Sequence, residues 1–458
     1  MSVSHRLCVF QYSIRSNNEA LIVRKGSREI EGRSRPKKKK LLNRYMIERE
    51  MARTSSASSK KLKISLVDVP IDADHGYRII NSSTLFSTLS DMIKCKSCNG
   101  NISFREATIR GLGFKLVITC DKCEPRYINC CPLIDHAYEI NRRFVFAMRL
   151  LGVGYEGAKK FCGIMDFPNI FRKEVYYEIL TNIYCATKTV ADTTFSEAAV
   201  EEKQLTTNAE RTEPAGLTVS GNGTWMKRGF SSLHGVVTLI GHYSGQIIDV
   251  NIKSLYCEQC DHSSQNLDIE EYETWKESHK NECSIDHEGS TGKMEVDGAI
   301  EMFARSKDLH GVKYLSYTDH GDDKTFKGIV ESQPYGEDVR ITKKECFTQN
   351  INNESINSLI WSIAPKQIFS GKKILKIATY IAANIFNKGY KSILLMMAML
   401  NLTIGTNAAV ICEQLDTTRV SQSEAKMVAA SKGRIKRQRD KVASDEQEDS
   451  FDEAEMDD

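Results

Sequence analysis

The sequence has 458 residues, of which 41% are apolar and 27% are charged, and its formal net charge is +3. These values favour a largely globular protein of two to four domains over a disordered chain. No apolar run reaches membrane-spanning length and no secretory signal is recognised, so we predict an intracellular protein without a membrane partner, whose 14 cysteines bind metal rather than form disulfides.

Charge is concentrated towards the two ends of the chain. Residues 1–63 hold 17 Lys and Arg against 5 acids, whereas the last 15 residues hold 9 acids and no base. We predict a disordered basic arm over 1–64 and a disordered basic-then-acidic tail over 431–458. The run RSRPKKKKLLNR at 33–44 is typical of nuclear import signals, so we expect a nuclear protein; a solvated flexible leader is the alternative.

Residues 65–138 carry the pattern of a zinc ribbon. Two Cys-x2-Cys pairs flank two short predicted strands, ISF and FKLVIT, and the four cysteines are Cys95, Cys98, Cys120 and Cys123. Two such pairs complete a tetrahedral site with no open position, so we expect structural zinc. Cys130 and Cys131 are predicted to be buried thiols rather than ligands.

Residues 139–215 are predicted to be helical. Two helices over Glu139–Pro168 break at Gly152-Val153-Gly154, and a third is predicted from Lys173 to Tyr184. A helix-turn-helix that reads DNA is one interpretation, and a plain helical linker bundle is the other.

The stretch from Leu217 to Cys257 predicts three antiparallel strands. They cover 217–225, 235–241 and 246–255. In the third, Ile248, Val250 and Ile252 alternate with polar residues, which predicts an edge strand with one face in water.

A second cysteine–histidine pattern follows the third strand. Cys257-x2-Cys260 precedes His279-x3-Cys283, with His287 as an alternative ligand, and a helix is predicted over 270–282. We predict a second zinc site in an insertion at 257–287; a reduced surface loop is the alternative.

The remaining elements complete an α/β (mixed) fold. A helix is predicted over 294–305, strands over 312–318 and 339–346, a helix that Asn353 caps with Glu354 in its first turn, and a helix over 372–387. Three strands, helix, strand, helix, strand, helix is the ribonuclease-H-like order. We place this core at 216–365 and a C-terminal helical region at 366–430.

Several stretches resemble one known family, the Mutator-like transposase domain. They include SGNGTWMKRGFSSLHGVVTLIG, HEGSTGKMEVDGAIEMF, GVKYLSYTDHGDDKTFKGIVESQPYG and FTQNINNESINSLIWSIAPK, and the resemblance runs from about Gly76 to Ala430. It implies a DDE transposase that cuts and rejoins double-stranded DNA at the ends of its own element, with Mg²⁺ or Mn²⁺ as cofactor. It also implies a homo-oligomer, since related enzymes act on paired ends.

The resemblance assigns the metal-binding corners to Asn222, Asp322 and Glu354. The family reads Asp where this chain has Asn222, and its second block reads Gly-Asp-Gly-Asp-Ser where this chain has DHGDD. Asp319, His320 and Asp323 are therefore alternatives for the second corner.

A long helical insertion that family members carry after the fifth strand is missing beyond Cys346. These departures predict a degenerate or truncated copy with impaired cleavage. A non-catalytic, zinc-dependent DNA-binding protein is the alternative, and a zinc-stabilised scaffold without nucleic acid ranks third.

Overall fold

A computed structural model describes residues 69–168, 172–211, 215–227, 232–319, 323–345, 350–368 and 370–425. The arm 1–64, the import-signal run 33–44 and the tail 431–458 lie outside the described residues, so those predictions stay predictions. Within the described part, no helix is both long and apolar enough to cross a membrane.

The N-terminal module is a small antiparallel sheet with one helix packed on it. It comprises α1 (Ser82–Met92), β1 (Ile102–Arg110), β2 (Gly113–Cys120) and β3 (Arg126–Asn129), and the strand order is β1-β2-β3. The predicted turn between β1 and β2 contains Gly111, whose φ of +61° suits glycine. A short hairpin of β4 (Leu133–Ile134) and β5 (Ala137–Tyr138) follows.

Three helices connect this module to the main sheet. They are α2 (Glu139–Leu150), α3 (Tyr155–Ile164) and α4 (Lys173–Glu210). The predicted break at 152–154 is confirmed, but the predicted end of the third helix at Tyr184 is wrong. α4 spans 38 residues in all and continues to Glu210, because its second half still buries apolar side chains such as Phe195 and Ala198. Whether these helices read DNA stays a prediction.

The main sheet has five strands in the mixed order that the sequence predicts. The strands are β6 (Leu217–Trp225), β7 (His234–Gly241), β8 (Ile247–Ser254), β9 (Tyr314–Asp319) and β10 (Thr342–Glu345). Their order in the sheet is β10-β9-β6-β7-β8. β9 and β10 run parallel to β6, whereas β7 is antiparallel to both of its neighbours. The ribonuclease-H-like core is therefore confirmed as a mixed α/β fold.

Helices cover both faces of this sheet. After β8 come α5 (Glu258–Asn266), α6 (Ile269–His279), α7 (Lys293–His310), α8 (Asp323–Glu331), α9 (Asn350–Ile363), α10 (Lys372–Lys388) and α11 (Ser392–Met399). α7 packs on one face, and α4, α9 and α10 pack on the other. The chain is helical again over 406–425. The sheet is thus enclosed between two layers of helices.

The predicted wet face of β8 is wrong. β8 does lie at the edge of the sheet, but all eight of its residues are buried. On the polar side, Asp249 forms a bidentate ion pair with Arg305 of α7, with N–O distances of 2.6 and 2.9 Å. A β-bulge also moves Ile248 to the α7 side, whereas Val250 and Ile252 pack on the opposite face.

The predicted start of the glutamate helix is also wrong. α9 is already helical at Asn350, so Asn353 lies inside the helix and Glu354 lies in its second turn. Its residues Ile356, Ile360 and Ile363 are buried, and Leu359 is half-buried. Gly389 follows α10 with a φ of +84°, a backbone conformation that favours glycine.

Candidate catalytic region and metal centres

The centre of β6 presents polar side chains to α9. The Nδ2 of Asn222 donates a hydrogen bond to the Oδ1 of Asn357 at 3.0 Å. One turn further along α9, the Nε1 of Trp361 donates to the Oγ1 of Thr224 at 2.9 Å. Because alternate residues of a strand share a face, these two bonds fix β6 against α9 along one polar row.

Glycines on either side of Asn222 let the opposite face pack closely. A Cβ at Gly221 would lie 2.0 Å from the hydroxyl oxygen of Tyr317, and a Cβ at Gly223 would lie 2.5 Å from Oε2 of Glu295. The buried Tyr317 ring leaves no room for a side chain at Gly221, whereas the carboxylate of Glu295 would have to move aside at Gly223. The sequence Gly-Asn-Gly therefore leaves Asn222 as the one side chain of this triplet, and it points towards α9.

The register of β9 brings its carboxyl end beside Asn222. Ser220 pairs with Thr318, and Asp319 pairs with Glu345 of β10. The chain therefore leaves β9 level with the middle of β6. Asp322 and His320 lie outside the described residues, and only the backbone is described at Asp319 and Asp323. That one of them completes a metal site stays a prediction.

Glu354 lies on the helix that holds Asn222. It precedes Asn357 by three residues, so the two side chains share a face of α9, and Glu354 is exposed to solvent. The structure thus brings Asn222 to the glutamate helix through Asn357.

Four polar residues of this region were not identified from the sequence. Asn357 and Trp361 follow Glu354 at helical spacing, and that spacing could have revealed them. Ser220 and Thr318 are fully buried, and their hydroxyls have no hydrogen-bond partner among the described residues. Only the pairing of β6 with β9 places those two hydroxyls together.

The first predicted metal centre is assembled in the N-terminal module. The sulfur atoms of Cys95, Cys98, Cys120 and Cys123 all lie within 4.8 Å of one another. Cys98 and Cys120 are 3.3 Å apart, and Cys95 and Cys123 are 3.8 Å apart. Four sulfurs at about 2.3 Å from one zinc ion would be separated by about 3.8 Å, so the cluster fits a tetrahedral metal.

The local backbone favours thiolate at one of these ligands. Backbone N–H groups of Ser97 and Cys98 lower the pKa of Cys95 to about 6. Hydrogen bonds with Cys98, Cys95 and Cys120 raise the pKa of Cys123 to about 12. Four thiols crowded in this way resist losing all their protons unless a cation neutralises the charge.

The second predicted centre is assembled where the sequence indicated. Ligand atoms of Cys257, Cys260, His279 and Cys283 lie within 4.8 Å of one another. Burial raises the pKa of Cys257, but N–H groups of Ser284 and Cys260 outweigh it and lower that pKa to about 6. The ring of Trp275 stacks on His279 with centroids 4.5 Å apart and holds the imidazole in place.

The alternative ligand and the spare thiols lie outside both clusters. His287 Nδ1 lies 3.0 Å from Asp297, and its Nε2 lies 3.0 Å from the carbonyl oxygen of Ser290. Cys131 is buried as predicted, but Cys130 is exposed, so the prediction for Cys130 is wrong.

The second cluster is tied to the end of the main sheet. Lys372, at the start of α10, contacts the carbonyl oxygen of Ser284 at 3.0 Å and the carboxylate of Asp286 at 2.6 Å. The other oxygen of Asp286 accepts the N–H of Ser254 at 2.8 Å. The 257–287 insertion is therefore fixed to the carboxyl end of β8 and to α10.

Comparison with known proteins identifies the family. A family model described as Mutator-like transposase matches residues 76–359, well over half of the chain. No curated protein and no solved structure matches it. The matched range begins before the first cysteine cluster and ends within α9, so it includes Asn222, Glu354 and both clusters. The chain belongs to the Mutator-like transposase family.

Proposed function

We propose that this chain binds double-stranded DNA as a transposase does, and that its capacity to cut and rejoin DNA at element ends is impaired. The observation that carries the proposal is Asn222 at the centre of β6, hydrogen-bonded to Asn357 on the glutamate helix. The family has an aspartate at this position. The chain keeps the fold on which the reaction depends, but Asn222 lacks the negative charge of that aspartate.

Asn222, Asp322 and Glu354 are the groups that would hold Mg²⁺ or Mn²⁺, with Asp319, His320 and Asp323 as alternatives for the second corner. When bound, these ions supply Lewis-acid activation of the phosphodiester. The Oδ1 of Asn222 accepts no hydrogen bond from the described residues, so it is open to a cation. An amide oxygen carries no full charge, however, and Mg²⁺ is held chiefly by carboxylates. We expect metal affinity to be weakened for this reason.

Asn357 suits either residue at position 222. Its side-chain amide accepts from Asn222 here, and after a half-turn about its last torsion it would donate to an aspartate. The pocket therefore tolerates a carboxylate at 222 without repacking. This makes the lesion at 222 reversible in principle.

Two further features support DNA binding in the nucleus. Both cysteine clusters suit structural zinc, which has no open position for catalysis. The basic run 33–44 suits nuclear import or phosphate binding.

The missing insertion after β10 has the opposite effect. It removes surface that related transposases use to bind DNA, so we expect a lower affinity for the element ends.

A nicking assay tests the proposal. Wild type and Asn222→Asp are incubated with supercoiled plasmid that carries the element ends, with Mg²⁺ or Mn²⁺, and Glu354→Gln in the Asn222→Asp background is the matched control. We expect wild type to nick feebly and Asn222→Asp to nick on the order of 100-fold faster, as for one charged group restored to a preorganised site. Glu354→Gln should abolish the gain.

One outcome would contradict the impaired cleavage, and another would contradict its assignment to position 222. Vigorous metal-dependent nicking by wild type would show that cleavage is intact. No gain in Asn222→Asp, with DNA binding retained, would assign the lesion to the missing insertion or to the second corner instead.

A second candidate is a zinc-dependent DNA-binding protein without any cleavage. The two cysteine clusters favour it, since neither depends on position 222. It predicts DNA binding that weakens steeply with salt, because phosphate contacts release counterions, and no nicking by any variant at position 222.

A further inference from the structure

The two cysteine modules have opposite charge. Residues 94–129, around the first cluster, hold seven Lys and Arg against three acids, a balance of +4. Residues 257–288, around the second, hold two Lys against ten acids, a balance of −8. A zinc ion with four thiolates subtracts two charges and one with three thiolates subtracts one, so the contrast survives metal binding. Only the first module attracts phosphate.

One face of the β1-β2-β3 sheet is covered by a helix. Phe104 stacks on Phe86 of α1 with ring centroids 5.8 Å apart. Phe104 pairs across the sheet with Ile118, and Ile118 pairs with Arg126, so these three side chains share the covered face, on which α1 packs against β1 while Arg126 on β3 stays exposed.

The other face, which we name the open face, carries exposed polar side chains around Val117, which is itself fully buried at its centre. Ser103 and Thr119 point to it together, since their hydroxyls are 2.7 Å apart and exposed. Arg105 of β1 and Tyr127 of β3 both pair with Val117 of β2, so their side chains lie on this face. In the next row, Lys115 pairs with Asn129. Arg105 is exposed, and Tyr127 is 59% exposed.

The open face ends where the rest of the protein begins. A Cβ at Gly113 would lie 2.2 Å from the ring of Tyr138, so β5 closes the face at the start of β2. The opposite end runs towards the cysteine pairs and stays accessible. Arginine, lysine, tyrosine and hydroxyl side chains in adjacent rows are the donors that contact DNA phosphates.

On the basis of the DNA-binding function proposed for this chain, we propose that the open face of the first cysteine module binds the phosphate backbone of duplex DNA. The acidic second module does not bind DNA and repels it. The covered face of the same sheet makes no contact with DNA.

Two matched substitutions test this assignment in the full-length protein. Arg105→Gln removes a charge from the open face, and Arg126→Gln removes one from the covered face, also at an exposed position. Binding of a fluorescent duplex is measured by anisotropy over a series of salt concentrations. We expect Arg105→Gln to bind about threefold more weakly and to reduce the salt slope by about 0.9, the value for one lost phosphate contact. Arg126→Gln should match wild type.

Zinc content and melting temperature of each variant show whether the module is intact. Equal losses in both variants, or wild-type binding by Arg105→Gln, would overturn the assignment to the open face while leaving DNA binding itself in place. No salt-dependent binding by wild type would overturn the proposed function and this inference together.

Discussion

Burial changes the pKa of several polar side chains in this protein. Asp249 is 4% exposed, and burial raises the pKa of its carboxyl group, although Arg305, whose guanidinium contacts both carboxylate oxygens, opposes the shift. His234 is fully buried at the start of β7. Burial, with a smaller contribution from Lys372, lowers the pKa of His234 to about 4, although Asp286 opposes the shift.

The depressed pKa of His234 predicts acid sensitivity. The folded protein keeps this imidazole neutral, whereas the unfolded chain binds a proton below about pH 6.5. The stabilisation that comes from keeping His234 neutral is therefore complete above about pH 6.5. It is lost as the pH falls towards 4, and the free energy of unfolding decreases by up to about 1.4 kcal/mol per pH unit. Denaturant unfolding of wild type and His234→Gln, with excess zinc, measures the difference. Parallel stability curves between about pH 5 and 7 would contradict the prediction.

At the scale of elements, the β8 edge of the main sheet is closed by a side chain. Asn387 of α10 accepts the N–H of Ile247 at 2.9 Å and donates to its carbonyl oxygen at 2.8 Å. It is fully buried and takes the place of a sixth strand at that position. Edge strands are prone to pair with other chains, so this contact protects β8.

Replacing Asn387 should expose that weakness. Asn387→Leu leaves two buried backbone groups of Ile247 without partners, which costs about 1–3 kcal/mol for each group. We expect the free energy of unfolding to fall by about 2–4 kcal/mol, measured by urea denaturation. The exposed substitution Gln414→Leu should change it by less than about 0.5 kcal/mol. Equal stability of Asn387→Leu and wild type would show that water or another group replaces the amide.

At the scale of the whole molecule, two separate cysteine clusters predict two zinc ions for each chain. Cys98→Ser and Cys260→Ser should each remove one ion and leave the other, because the clusters share no ligand. Chelation should destabilise the protein, since structural zinc contributes directly to folding. Metal analysis of the purified chain and both variants checks this. Loss of both ions from one variant would show that the clusters depend on one another.

The sequence alone determined the family, the order of the strands and both cysteine clusters. Motif spacing is a local property: two residues between cysteines, or strict alternation along a strand, restrict the geometry before any tertiary contact forms. The resemblance to the family, carried over position by position, assigned Asn222 and Glu354 to the metal-binding corners. It could not reveal Asn357 as the partner of Asn222, because 135 residues separate them.

Only the tertiary structure decided which polar residues are buried. The alternation in β8 predicted water on one face, yet α7 covers that face. Arg305 of α7 forms an ion pair with Asp249, and Glu301 accepts a hydrogen bond from Asn251. α4 continues far beyond its most periodic half because the sheet and α10 cover its later turns. In each case the stabilising contacts come from an element distant in the chain. The hydrophobicity of a segment does not indicate which element will pack against it.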